Sequence, residues 1–259
     1  VNWMLWGGLG IAVIALICVL GLVFVYVLGS IGGDSTPTPT APSVARATST
    51  PTTRFVTPHV DEILLNDDFS SQKISEENGW VFDTGENVDW GWATNRLIAT
   101  VKRKQWIGWN TIDGYYDDFG AETEAQAATN EYAEYGIIFR ITGSSSEDRS
   151  YYIFGVSTTG KYFLEKRFAG AWAKDPVSAT ASTYIKQGTG KNRLGVIAQG
   201  SRIWLFINGY QVKVITDDSI AGGEIGVYSG TGDNDTTKVI FNRFTVMSAE
   251  KAKTDWGAK

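Results

Sequence analysis

Hydrophobic and polar positions divide the chain into stretches of different period. From Leu9 to Leu28 it reads LGIAVIALICVLGLVFVYVL, 20 residues without a strongly polar side chain, and no charge precedes Asp34. At ~1.5 Å per helical residue such a run spans ~30 Å, the thickness of a bilayer's hydrocarbon core. Trp3 and Trp6 at one end and Tyr26 near the other fit interfacial aromatic anchors. A cleaved signal peptide has a shorter apolar region, a basic start and an Ala-x-Ala-like site. A lipoprotein signal needs a small residue before its cysteine, but Ile17 precedes Cys18. A soluble helix apolar on every side needs a larger protein to enclose it. Residues 1–33 are therefore expected to hold one transmembrane helix. Within it Gly8 and Ala12 form a small-xxx-small pair, and Gly21 continues a surface on which another helix could pack.

Residues 34–60 are dominated by Ser, Thr, Pro and Ala. They bury too little apolar surface to offset the entropy of ordering, so a tether is expected. Extended at ~3.1 Å per residue, its ~27 residues reach up to ~80 Å. From Ile63 the pattern changes to short β-prone runs separated by turn residues. Strands are predicted at Arg96–Val101, Phe119–Ala127, Tyr135–Ile141, Tyr151–Val156, Tyr162–Phe168, Arg193–Ala198, Arg202–Ile207, Gln211–Thr216, Glu224–Tyr228 and Lys238–Met247. Asn208-Gly209 between two of them is a two-residue hairpin turn. No amphipathic helix of several turns is evident. Residues 61–247 are thus expected to form an all-β, jelly-roll-type antiparallel sandwich, with 248–259 a polar tail carrying a lone Trp256.

Composition narrows function mainly by exclusion. The net charge of −5 is mild, and the one basic cluster, Lys102-Arg103-Lys104, is too short for a nucleic-acid surface. The single cysteine, Cys18, lies in the apolar run, which excludes an intrachain disulfide, Cys-ligated zinc and iron–sulfur clusters. The single histidine, His59, sits in the tether, and no triad or multi-histidine site can be built on it. No cofactor is expected.

The globular part opens with NDDFSS (Asn66–Ser71) and NGW (Asn78–Trp80). It continues through YGIIFRI and YYIFGVSTTGKYFLEKRFAGAW, and closes with NRLGVIAQGSRIWLFINGYQV and IAGGEIGVYSG. Over about residues 63–247 this resembles the concanavalin A-like lectin/glucanase superfamily, including its laminin-G-like members. The resemblance is one of strands and turns, and implies fold more than function. Hydrolases of the glucanase branch carry a Glu-x-Asp-x-x-Glu strand, which this chain lacks; the nearest acidic groupings are Glu122 with Glu124 and Glu131 with Glu134. Alternation places Glu122 and Glu124 on one strand face, read as a solvated face. Many members of the superfamily bind calcium, for which Asp233-Asn234-Asp235 offers oxygen atoms, although the same residues suit a hairpin loop.

Aromatic pairs are the most distinctive local chemistry. Trp90 and Trp92 fall on one strand face, whereas the spacing of Trp106 and Trp109 does not align them; Tyr115, Tyr116 and Trp172 add further rings. Such rings either stack on sugars or fill the space between two sheets. Two functional readings follow. The first is a non-catalytic, membrane-anchored module on the periplasmic or extracellular side, serving as an accessory subunit of a larger membrane complex such as an energy-converting or electron-transfer assembly. Its partners would be lipid and other subunits. The alternative is a surface glycan-binding or adhesion protein using the four Trp residues. The absent catalytic motifs and the small-residue helix face favour the first.

Overall fold

The computed structural model describes residues 62–259. The apolar run with Gly8, Ala12 and Gly21, the tether, Cys18 and His59 lie outside the described residues. Among the described residues no helix is long and apolar enough to cross a membrane.

In chain order the elements are β1 (Ile63–Asp67), α1 (Gln72–Glu77), β2 (Asp83–Thr84), β3 (Val88–Ala93), β4 (Arg96–Val101), β5 (Ile107–Tyr116) and β6 (Phe119–Ala127). Next come β7 (Glu134–Thr142), β8 (Ser150–Ser157), β9 (Lys161–Phe168), β10 (Ala171–Trp172), β11 (Val177–Ala181) and β12 (Asn192–Gln199). The last are β13 (Arg202–Ile207), β14 (Tyr210–Thr216), β15 (Gly223–Gly230), β16 (Thr237–Met247) and α2 (Ala249–Trp256). All ten predicted strands fall on observed ones. The strands form two antiparallel sheets. One runs β14-β13-β12-β6-β16-β4-β3-β2 with β1 also on β16; the other runs β10-β9-β8-β7-β15-β5 with β11 also on β9. Asn208 and Gly209 both take positive φ (52° and 87°) and join β13 to β14, as the hairpin signal predicts.

The space between the sheets is filled by large rings, among them Phe69, Trp80, Phe139, Phe154, Phe241 and Phe244. The NDDFSS and NGW segments build one end of this core. The buried Asp67 carboxylate accepts from the Phe69 N–H (2.8 Å), the Ser75 hydroxyl (3.1 Å) and the Asn78 amide (2.9 Å). That knot turns Phe69 against Trp80, whose ring also meets Phe244. The motif residues thus hold the fold together, which is why they speak to architecture and not to chemistry.

Arg140 pins the opposite loops. It sits at a register shift in β7 with φ 54° and is fully buried, donating to the carbonyls of Ile220 (2.8 Å), Asp117 (3.0 Å) and Gly200 (2.8 Å). These donations satisfy the buried guanidinium and tie three loop carbonyls to β7.

The segment after Met247, which the pattern leaves as a tail, is the helix α2. Ser248 caps it by accepting from the Lys251 N–H (3.2 Å), and Gly257 ends it in the left-handed region. Eight residues are too few for a helical period to show in the sequence, and the helix owes its stability to packing. Ala249 and Ala252 are buried with Ile197, Trp204, Phe206 and Met247 on the outer face of the nine-stranded sheet, and the Trp256 ring lies 5.3 Å from that of Phe206.

Candidate functional site

The structure separates the aromatic candidates. Trp90 is 7 % exposed and packs toward Phe241 in the inter-sheet core. Trp92, on the same strand face, donates its indole N–H to the Phe69 carbonyl (3.0 Å). Both serve the fold. Trp106 precedes β5, is 37 % exposed and lies under the Arg103 guanidinium at 4.5 Å. Trp109 is half-buried on the outer face of the seven-stranded sheet.

The carboxylates resolve equally plainly. Glu122 and Glu124 lie on the outer face of the other sheet, paired with Arg193 (3.4 Å) and Lys191 (2.8 Å), and burial raises the Glu122 carboxyl. Asp233, Asn234 and Asp235 engage separate partners: Gln105 (3.0 Å), the Tyr132 carbonyl (2.6 Å) and Lys104 (3.4 Å). Among the described residues no group of three or more His, Cys, Asp or Glu is placed to hold a metal.

What the sequence reading missed is a second apolar cluster. In β7 the side chains of Tyr135, Ile137 and Phe139 face the inter-sheet core, whereas Ile138 faces outward. There it joins Tyr151, Ile153, Phe163 and Tyr228, with Ile107 and Trp109 packed alongside. YGIIFRI and YYIFGV carry a signal that could have found it. They are continuous apolar runs, as strands buried on both faces require, and not the alternation of a strand with one wet face.

Strand register lines these residues up across the sheet. One row runs Phe163, Gly155, Gly136, Tyr228 and Trp109 over five neighbouring strands. The two adjacent glycines let the rings of Phe163 and Tyr228 lie down on the backbone. A Cβ on Gly155 would collide with both. Further along the strands, Tyr151 pairs with Arg167. Its ring stands between those of Trp109 (5.7 Å) and Trp172 (5.9 Å, edge-on). Arg149 lies over Trp109 at 5.5 Å and Arg167 over Trp172 at 5.8 Å, within range of a cation–π attraction. Trp172 is 53 % exposed.

The same face carries two carboxyl groups in low-dielectric surroundings. Burial, aided by Glu134 and Asp175, pushes Glu165 up to about 7. Burial also raises Glu134, partly countered by the Tyr132 hydroxyl that donates to it. The Tyr228 hydroxyl is fully buried and has no hydrogen-bond partner among the described residues; burial, then the charges of Glu134 and Glu165, hold the phenol protonated. This face therefore combines aromatic rings, guanidinium donors and carboxyl groups that remain protonated to unusually high pH. Rings of this kind stack on the C–H faces of sugars while polar groups reach their hydroxyls.

No family model matches the chain, and no curated protein does. Solved structures do match. A carbohydrate-binding module, CBM66, from Bacillus subtilis is 17 % identical with a TM-score of 0.53, over 66 % of this chain and 96 % of that one. A protein of unknown function with a galectin-like fold, also from Bacillus subtilis, is 12 % identical at TM-score 0.53, over 74 % and 98 %. The catalytic domain of an endo-1,3-beta-glucanase (laminarinase) from Thermotoga petrophila RKU-1 is 10 % identical at TM-score 0.51, over 71 % and 96 %. At such identities the likeness is one of fold, and it embraces binding modules and enzymes alike. The described domain shares the two-sheet antiparallel β-sandwich fold of these proteins, in keeping with the concanavalin A-like resemblance of its sequence.

Proposed function

We propose that the domain binds carbohydrate on the outer face of its seven-stranded sheet, around Trp109, Tyr151 and Trp172. The observation that carries this reading is the exposed Trp172 ring, edge-on to the buried Tyr151 and in line with the half-buried Trp109, flanked by two guanidiniums at the margin of that face. The likeness to a carbohydrate-binding module lends it support. It reverses the order of the two readings drawn from sequence. Nothing among the described residues points to an accessory subunit, whereas this face has the chemistry of a glycan site.

Glu134 and Glu165 favour a second reading, glycoside hydrolysis, because a carboxyl held near 7 suits a general acid. Hydrolysis by two carboxyls needs environments that push them apart, one protonated and one ionised. Here burial pushes both in the same direction. Binding is the better account.

In this proposal the apolar run Leu9–Leu28 anchors the chain, and the Ser/Thr/Pro-rich tether holds the module away from the membrane on its extracytoplasmic side. Sequence alone supports that part. A glycan array probed with the full chain in mild detergent tests the function. Binding to a defined glycan class, lost in Trp172→Ala with the fold intact, is the expected result. Absence of binding across the array overturns it, and release of reducing sugar that Glu165→Gln abolishes would establish the hydrolytic reading instead.

A further inference from the structure

Resting on the carbohydrate-binding reading, we infer that the sugar taken at this face is anionic, bearing carboxylate or sulfate, and that Arg149 and Arg167 receive its charge. Both guanidiniums are fixed in advance. Arg149 donates from Nη2 to the Ser144 carbonyl (3.2 Å) and Arg167 from Nη2 to the Ser146 carbonyl (2.9 Å), each while lying over a Trp ring. Neither forms an ion pair within 4 Å among the described residues, and the buried Nε of Arg167 has no hydrogen-bond partner.

Of the acids near them in sequence, Glu165 shares the outward face of β9 with Arg167 but is held protonated up to about 7, and the two in the loop are engaged locally. Asp148 accepts from the backbone N–H groups of Ser144 (3.3 Å) and Ser145 (2.7 Å) and from the Ser145 hydroxyl (3.0 Å), which folds the loop that carries the two carbonyls. Glu147 accepts from the Ser146 hydroxyl (2.8 Å). That loop is tied to β9 and β10 by the Gly170 N–H, which donates to the Arg149 carbonyl (2.9 Å).

Some cations elsewhere on the two sheets are paired, although Arg202, over Trp204 at 4.8 Å, also forms no ion pair among the described residues. Lys166 is matched with Asp217 (2.7 Å), Lys191 with Glu124 and Arg193 with Glu122. Two fixed guanidiniums with no ion pair among the described residues, beside the exposed Trp172 and the half-buried Trp109, are complementary to a sugar ring that carries its own negative charge. Their planar forks suit carboxylate and sulfate oxygens, and little side-chain entropy remains to be lost on binding. A neutral sugar would leave that positive field unused.

Calorimetric titration of the full chain distinguishes the alternatives, using oligogalacturonate, its methyl ester of equal length, and a sulfated oligosaccharide. The expected result is binding of at least one anionic probe about tenfold or more tighter than the ester, with affinity falling as salt is raised. Arg149→Gln with Arg167→Gln should erase that preference, bringing affinity for the anionic probes down to that of the ester measured on the same variant, and Arg149→Lys with Arg167→Lys should restore it only in part. Tighter binding of the sulfated probe than of the uronate identifies sulfate as the anion. Equal affinity for ester and both anions overturns the inference and leaves glycan binding standing. Failure of all three, together with a blank glycan array, overturns the carbohydrate reading itself.

Discussion

The two sheets are alike in construction and opposite in what their outer faces do. On the nine-stranded sheet the outward residues Ile197, Trp204 and Phe206 are closed over by α2, and the polar remainder pairs off as Glu122–Arg193 and Glu124–Lys191. On the seven-stranded sheet the outward residues at the centre are equally apolar and buried, but the margin keeps Trp172 exposed beside two arginines that form no ion pair among the described residues. A face satisfied within its own chain has nothing left to recognise, whereas one with unspent aromatic and cationic groups does. The difference between the faces, more than the fold they share, is what supports a binding function.

Side-chain truncation on the two faces should separate stability from binding. Trp204→Ala or Phe206→Ala, both nearly fully buried, should each lower the unfolding free energy by about 3–4 kcal/mol in urea titrations while glycan affinity is unchanged. Trp172→Ala should shift stability by under about 1 kcal/mol and abolish binding. The comparison breaks if the two effects are exchanged. Ending the chain at Ser248 removes the cover of the nine-stranded sheet and should cost about 3 kcal/mol, with concentration-dependent association detected by sedimentation.

Protonation offers a finer contrast. The folded state holds the Glu165 proton up to about 7, above the ordinary 4.5, so the folded chain binds that proton more tightly than the unfolded one. Its contribution to stability is therefore full below about 4.5, declines as pH rises to about 7, and is constant beyond. Glu165→Gln should raise stability at pH 8 by about 1–2 kcal/mol and leave it unchanged at pH 4.

Asp217 behaves oppositely. Burial alone would raise it, but hydrogen bonds from Lys166, Ser219 and Tyr152 outweigh burial and hold it at about 2. Its stabilisation is present above the ordinary 3.8 and is lost as pH falls toward about 2. The smallest effect belongs to the closed face. Glu122→Gln with Glu124→Gln should change stability by about 1 kcal/mol or less and leave binding as it was.

Much of the sandwich was legible because strands and turns are local. RLIATV alternates between buried and less buried positions and is β4 residue for residue, and Asn208-Gly209 specifies its turn by backbone sterics alone. β5 was not legible, because Asn110, Asp113 and Gly114 interrupt its run; Asn110 is there to exchange hydrogen bonds with the backbone of Val81 across the sheet edge (3.2 and 2.7 Å). Of the candidate site, only Trp109 and Trp172 could be singled out from sequence. Tyr151, Arg149 and Arg167 come from a different strand pair, and nothing in their spacing announces that they meet.

Sequence alone therefore determined that the region after Ile63 is all-β, where most of its strands and turns lie, and that the first 60 residues differ from it in kind. Apolar alternation and turn chemistry act over a few residues, which makes them readable along the chain. Tertiary structure decided which Trp residues enter the core, which outer face α2 closes, and which rings and guanidiniums gather on the other. A period of two says that a strand has two faces. Only the register of strands distant in sequence, and what then packs upon them, says which side chains of each face are buried and which stay exposed.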